Sequence, residues 1–295
     1  MRETQIVEKI RQLAAAGRRD KEVVQGIGDD CAILRPRATE ELVFTCDFVM
    51  ESRHFTQNTH KPADVGHLAL ARGLSDLAAM GSEPVFCLVS LALPAKLGAR
   101  WVDQFYEGLL SLASRYKIEL AGGDLAKLAS IVVNVTCCGR VPRGKAIRRS
   151  AAKPGDRIYA TGFLGAAAHA LNTGNPILRP EPRIRAGIAL RRLGVCAGMD
   201  LSDGLALDLH RLCVESDVHA DLRPKLPIAP GASLEEALHG GEDYELLFTA
   251  SPRTWIPRKI DDLPVTRIGV IRAGHAGQVR YEKKWLQPRG FDHFA

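Results

Sequence analysis

The stretch Gly26-Ile27-Gly28-Asp29-Asp30-Cys31-Ala32-Ile33-Leu34 sets two glycines and two adjacent carboxylates directly before an apolar run. Glycine lets a backbone turn tightly and approach a ligand closely. Neighbouring carboxylates repel each other, so a fold that gathers them supplies a cation. Taken alone, the stretch reads equally well as a polar turn ending in a strand. It does not stand alone. Asp47 follows Leu42-Val43-Phe44-Thr45-Cys46, Asp76 lies in a helical stretch, Asp124 follows Gly122-Gly123, and Asp200-Leu201-Ser202-Asp203-Gly204 precedes an apolar helical pattern. Hard oxygen ligands at element ends point to Mg²⁺ and a phosphate-bearing substrate.

Composition narrows the class without deciding it. The 295 residues allow one large domain or two, each of about 150 residues. A hydrophobic content of 46% with 25% charged residues is that of an ordinary globular protein with ample core. The net charge of +6 is spread out, denser at 140–149 and 179–192, and suits phosphate ligands as well as nucleic acid. Aromatic residues, 6% of the chain, are not interleaved with the basic ones, which argues against a nucleic-acid-stacking surface. Seven cysteines show no Cys-x-x-Cys spacing and form neither a zinc pattern nor a disulfide framework. Residues 1–20 carry Glu and Arg and no long apolar core, so no signal peptide is expected. With no run of ~18 apolar residues, no membrane span is expected either. The expected location is cytoplasmic.

Periodicity places the acidic residues on elements. Apolar spacing predicts helices over 3–16, 62–80 and 101–116, and strands over 41–46, 85–93, 118–121 and 131–137. Asp47 then sits at a strand end. Asp76 lies off the stripe of Leu70, Leu74, Leu77 and Ala78; from this helix alone it reads first as a solvated residue, and it is also free to face a cleft. Tyr106 lies beside an apolar stripe and either finishes the core or stacks on a ligand. Gly122-Gly123-Asp124 is expected to break its strand sharply. Gly139 to Ala146 nearly matches a P-loop but lacks the Mg²⁺-binding hydroxyl and is interrupted by Pro142, so it is rejected. Lys153-Pro154-Gly155-Asp156 reads as a turn and domain boundary. Thr161 to Gly165 leads into an Ala-rich helix whose N-terminus suits either an anion or close packing. Ser202 or Asp203 would make a good cap for the helix that follows, but a cap needs one such residue, and three in four positions favour metal and phosphate work. Three acids in Gly240-Gly241-Glu242-Asp243-Tyr244-Glu245 exceed what a turn requires. The aromatic C-terminal segment Arg289-Gly290-Phe291-Asp292-His293-Phe294 is expected to dock on the body.

Together these motifs, in this order, resemble the thiamine-monophosphate kinase family, within the superfamily of aminoimidazole ribonucleotide synthetase. The resemblance covers nearly the whole chain. It implies an α/β (α+β) fold in two domains. Residues 1–145 would bind ATP and Mg²⁺ and supply a mixed sheet that forms a barrel with a second subunit; residues 146–295, an α/β sandwich, would complete the active-site cleft. It implies a homodimer that transfers the γ-phosphoryl group of ATP directly to thiamine monophosphate. By resemblance, Mg²⁺ ligation goes to Asp30, Thr45, Asp47, Asp76, Asp124, Asp200 and Asp203, with Cys46 giving a backbone group. ATP contacts go to Tyr106, Gly123, Asp124, Arg149 and Ser202, and the thiamine side to His54, Glu242 and Phe291. No general base is implied. Family members usually carry Thr where Cys46 stands, and a Thr-Thr-Arg-like run where this chain has Leu125-Ala126-Lys127. Those departures leave two alternatives: a divergent ATP-using member with another acceptor, and a catalytically silent binding paralogue.

Overall fold

The computed structural model describes residues 3–15, 22–27 and 31–291. They divide into two compact units. The first takes Met1–Leu77, Glu83–Gly144 and Leu178–Glu181; the second takes Ala78–Ser82, Lys145–Ile177 and Pro182–Ala295.

The first unit runs α1 (Glu3–Ala15), β1 (Val23–Gln25), β2 (Ile33–Leu34), β3 (Glu40–Met50), α2 (Pro62–Ala79), β4 (Glu83–Leu93), α3 (Gly98–Tyr116), β5 (Glu119–Lys127) and β6 (Val132–Pro142). Its main sheet has the order β3-β6-β4-β5. The β3–β6 and β4–β6 pairs are antiparallel and β4–β5 is parallel, so the sheet is mixed. Glycines set the helix packing. A Cβ at Gly73 of α2 would come within 2.7 Å of Cys137 Sγ on β6, and one at Gly108 of α3 within 1.9 Å of the Ala63 carbonyl oxygen on α2. Both helices therefore approach more closely than any side chain would permit.

Three strands extend well beyond their predicted limits, β6 running on to Pro142. β3 continues through the β-favouring Phe48-Val49-Met50, so Asp47 lies inside the strand and not at its end. β5 runs through Gly122-Gly123-Asp124 instead of breaking there. A Cβ at Gly123 would meet the Val89 carbonyl oxygen at 2.0 Å, so the glycine serves close parallel pairing with β4.

The second unit runs β7 (Arg157–Thr161), α4 (Ala166–Asn172), α5 (Ile184–Arg192), β8 (Ala197–Leu201), α6 (Leu205–Glu215), β9 (Val218–Leu222), α7 (Leu234–His239), β10 (Glu245–Ala250), β11 (Lys259–Ile260), β12 (Leu263–Ala273), β13 (Val279–Tyr281) and β14 (Lys284–Trp285). The sheet order is β14-β13-β9-β12-β7-β10-β8, with β11 hydrogen-bonded to β12. Leu205, Leu209 and Leu212 of α6 and Leu238 of α7 bury against Ile158, Met199, Leu201 and Leu247 of the sheet. That alternation of apolar strand residues puts Tyr159 and Phe248 on the opposite face, where their rings stack at 5.2 Å.

Candidate active site

In the first unit Asp47 and Asp76 meet where β3 passes α2. Thr45 and Asp47, two apart on β3, share a face. Thr45 Oγ1 hydrogen-bonds Asp76 Oδ2 on α2. Arg72, one turn before Asp76, holds its Nη2 4.0 Å from Asp47 Oδ1. Asp47 Oδ2 is buried with no hydrogen-bond partner among the described residues. Burial, then the neighbouring Asp76 charge, push the Asp47 carboxyl up to about 6, against a smaller opposing pull from Arg72. A buried carboxylate beside a second one is costly unless a positive charge compensates it. Among the described residues, no three His, Cys, Asp or Glu gather closely enough to hold a metal by themselves.

The other residues of this unit separate into three situations. Cys46 alternates to the opposite sheet face, where it is exposed and its Sγ lies 3.1 Å from Asn134 Nδ2. Its thiol is thus turned from the carboxylates, leaving only its backbone on their side. Asp124 is exposed on β5, with Oδ1 accepting the Leu125 N–H at 2.9 Å. His54 sits in the turn after β3, and its Nδ1 accepts the Met50 N–H at 3.0 Å. Tyr106 is 3% exposed, stacks edge-on against Phe105, and has its phenol pKa raised by burial. Of the two readings open for its ring, it packs as part of the core. Asp30 lies outside the described residues, as do Gly28 and Asp29.

The second unit assembles a loop cluster around Asp200–Gly204. Asp200 is buried on β8 opposite Leu246. The Glu242 N–H donates to the Ser202 carbonyl at 2.8 Å, and the Phe291 N–H to the Asp203 carbonyl at 3.1 Å. A Cβ at Gly290 would meet that same Asp203 oxygen at 2.3 Å, so the glycine lets the C-terminal segment dock. Ser202, Asp203, Glu242 and Phe291, far apart in sequence, are thereby brought together. Glu242 adopts a left-handed φ of 66°, and Phe291 is 41% exposed. Arg149 stands exposed at the start of a short 3₁₀ turn, its carbonyl held by Ser216 Oγ at 2.6 Å.

Several acids have roles that the sequence reading did not assign. Neither Ser202 nor Asp203 caps α6. The capping position is Gly204, and Asp208 from within the helix reaches back instead. Asp208 is an acid on the stripe of Leu205, Leu209 and Leu212, and that misplaced charge was its signal. Asp243 accepts the N–H groups of Gly165 and Ala167 at 2.6 and 3.0 Å, so a carboxylate already fills the start of α4. Close packing is therefore the reading that holds for the Thr161–Gly165 turn: a Cβ at Gly165 would lie 2.7 Å from the Ala237 nitrogen. Glu245 is buried and accepts from Thr161 Oγ1 at 2.5 Å and from Arg183 Nε and Nη2 at 3.1 and 2.6 Å. Two of the three acids in 242–245 are thus structural.

The model of AIR synthase related proteins, N-terminal domain, matches residues 28–141. The thiamine-monophosphate kinase of Bacillus subtilis is 35% identical over 302 residues, spanning 91% of this chain and 93% of its own. The chain belongs to the thiamine-monophosphate kinase family. The crystal structure of the kinase from Stenotrophomonas maltophilia K279a superposes with a TM-score of 0.82 at 35% identity, covering 96% of this chain and 98% of that one. AaThiL, complexed with AMPPCP and TMP, superposes with a TM-score of 0.80 at 30% identity, covering 100% and 99%.

Proposed function

We propose that this chain transfers the γ-phosphoryl group of ATP to the phosphate of thiamine monophosphate, giving thiamine diphosphate and ADP. The observation that carries the reading is the AaThiL complex with AMPPCP and TMP, matched over the full length of this chain. The residues suit that chemistry. The acceptor is a phosphate oxygen already ionised near neutral pH, so the protein needs positioning and charge neutralisation and no strong base. Its obstacle is the mutual repulsion of two polyanions.

The Asp47–Asp76 pair fits Mg²⁺, which takes one or two carboxylates and completes its shell with water and phosphate oxygens. The orphaned Asp47 Oδ2 is the atom such an ion would engage. Mg²⁺, when bound, neutralises phosphate charge and orients the transferring group. Asp30, Asp124, Asp200 and Asp203 are the further ligands of this reading, with Thr45 holding Asp76 in place and Cys46 contributing backbone only. Gly123, Asp124, Arg149 and Ser202 serve ATP. His54, Glu242 and Phe291 serve the thiamine side, where an exposed ring suits stacking on a cationic heterocycle.

A homodimer belongs to the same reading. Phe44 and Phe48 are 61% and 54% exposed, with Cys46 between them on one face of β3. Such a row on an otherwise well-packed sheet suits a second copy. All seven cysteines are free thiols, which suits a cytoplasmic setting. No described helix is long and apolar enough to cross a membrane.

The test is formation of thiamine diphosphate and ADP from purified protein, ATP, Mg²⁺ and thiamine monophosphate. Product is expected, with Asp203→Asn lowering turnover by at least ~100-fold. ATP binding without product would favour another acceptor; no ATP binding would favour the silent paralogue.

A further inference from the structure

From Ser202 to Gly204 every backbone polar group is engaged. The three carbonyls accept from Glu242, Phe291 and Asp208 N–H groups at 2.8, 3.1 and 2.9 Å. The three N–H groups of Ser202, Asp203 and Gly204 all donate to one oxygen, Asp208 Oδ2, at 3.1, 3.0 and 3.1 Å. The other oxygen, Oδ1, accepts Arg211 Nη1 at 3.1 Å. That same guanidinium nitrogen hydrogen-bonds Asp203 Oδ2.

This exceeds what closing a helix requires. A capping side chain satisfies one or two N–H groups of the first helical turn. Asp208 instead gathers three that lie upstream of α6, and it does so fully buried, where an unpaired carboxylate would be costly. Arg211 supplies the pairing charge and ties the Asp203 side chain to the clamp. Ser202 and Asp203 are therefore held in backbone and, for Asp203, in side chain by the protein's own groups.

We propose that Asp208 and Arg211 are positioning residues for phosphoryl transfer: Asp208 fixes the Ser202–Gly204 backbone and Arg211 fixes the Asp203 carboxylate. This rests on the kinase reading, whereas the clamp itself does not. Preset geometry of this kind lowers the cost of arranging the transferring group, and misplacement by about 1 Å costs ~100-fold in rate.

The variants are Arg211→Ala, Arg211→Lys and Asp208→Asn, all in the full-length chain. Arg211 keeps 39% of its side chain exposed, so its truncation leaves no buried cavity. Asp208→Asn retains an acceptor oxygen and the shape of the site, and so remains testable where Asp208→Ala would strand three N–H groups without an acceptor. In nucleotide-free protein, amide hydrogen exchange at 202–204 is expected to be slow and to accelerate at least ~10-fold in Asp208→Asn, since the charge-assisted bonds weaken. In steady-state kinetics, Arg211→Ala is expected to lower kcat at least ~10-fold, to leave the KM for thiamine monophosphate unchanged, and to be partly rescued by Lys. Its thermal midpoint is expected to fall as well, because buried Asp208 loses its pairing charge, so kcat is read on protein shown to be folded.

A purely structural role predicts a lowered midpoint with normal kcat and no rescue by Lys in the folded enzyme. That pattern, or exchange at 202–204 unchanged in Asp208→Asn, overturns the proposal. If wild type turns over and folded Arg211→Ala matches it, the proposal alone fails. If wild type makes no product, the kinase reading fails and takes the catalytic part of the proposal with it, while the exchange result still reports whether the clamp exists.

Discussion

Asp47→Asn should make the metal-free protein more stable while disabling it. In the folded chain the Asp47 carboxyl titrates at about 6 instead of 3.8, raised by burial and then by Asp76. The folded state therefore binds more protons than the unfolded state between these values, and stability falls as pH rises through that window. The deficit is absent below pH ~4 and complete above pH ~7. A rise of this size corresponds to roughly 3 kcal/mol, a ceiling for one member of an interacting pair; about 1–3 kcal/mol is the expected effect. Asn removes the charge and can donate an N–H toward Asp76, replacing repulsion by a hydrogen bond. The assay is thermal unfolding in a chelator across about pH 4 to 8, followed by Mg²⁺ titration near the upper end. There the variant should unfold higher than wild type, by about 2–4 °C per kcal/mol. It should match wild type at the acidic end and respond less to Mg²⁺. Equal stability at the alkaline end, or an advantage independent of pH, would refute the account of this pair.

Two further outcomes test the frame around the site. On the proposed homodimer reading, wild type should sediment as a dimer in analytical ultracentrifugation, and Phe44→Asp combined with Phe48→Asp, which places charges on the exposed face of β3, should give a folded monomer; a wild-type monomer would refute the homodimer, and a dimer unchanged in the variant would show that this face is not the interface. Glu245→Ala leaves Arg183 and the buried Thr161 hydroxyl without their acceptor and should destabilise the second unit by about 3–5 kcal/mol, read by chemical denaturation, with Glu245→Gln losing less.

The elements were legible because their residues follow strong local rules. Apolar spacing located α2 and α3 to within a few residues, and Pro62 marked the start of α2. Strand ends were less legible because pairing decides them. Gly122-Gly123 reads as a break by intrinsic preference, yet β4 accepts it as paired strand since the missing Cβ allows the two backbones to meet. In the candidate site, Asp47 was readable as an acid following a β-favouring run and Asp76 as one off an apolar stripe. Their convergence with Thr45 depends on how α2 crosses β3, which Gly73 and Cys137 settle through space. Asp243 and Glu245 show the opposite error. An excess of acids looked like phosphate chemistry, but one carboxylate starts α4 and the other balances Arg183. Local sequence counts charges; only the tertiary fold says which are already satisfied.

The same distinction bears on the two departures from the family pattern. Strand alternation puts the Cys46 thiol on the face away from Asp47 and Asp76, beside Asn134 and between the exposed Phe44 and Phe48. A thiolate would be a poor Mg²⁺ ligand, but the side chain at 46 is not offered to the carboxylate side at all. Replacing a Thr there alters the exposed face and leaves the Thr45–Asp76 contact untouched. Leu125-Ala126 differs in kind, because it follows Asp124 on an exposed strand and the Asp124 carboxylate already takes the Leu125 N–H. If relatives carry a hydroxyl at this point, as the resemblance implies, its absence removes a donor beside Asp124, which the proposed reading gives to ATP and metal. Of the two departures, Leu125-Ala126 is therefore the one with a route to altered substrate handling. A kinetic defect repaired by Leu125→Thr and not by Cys46→Thr would follow from that difference in placement.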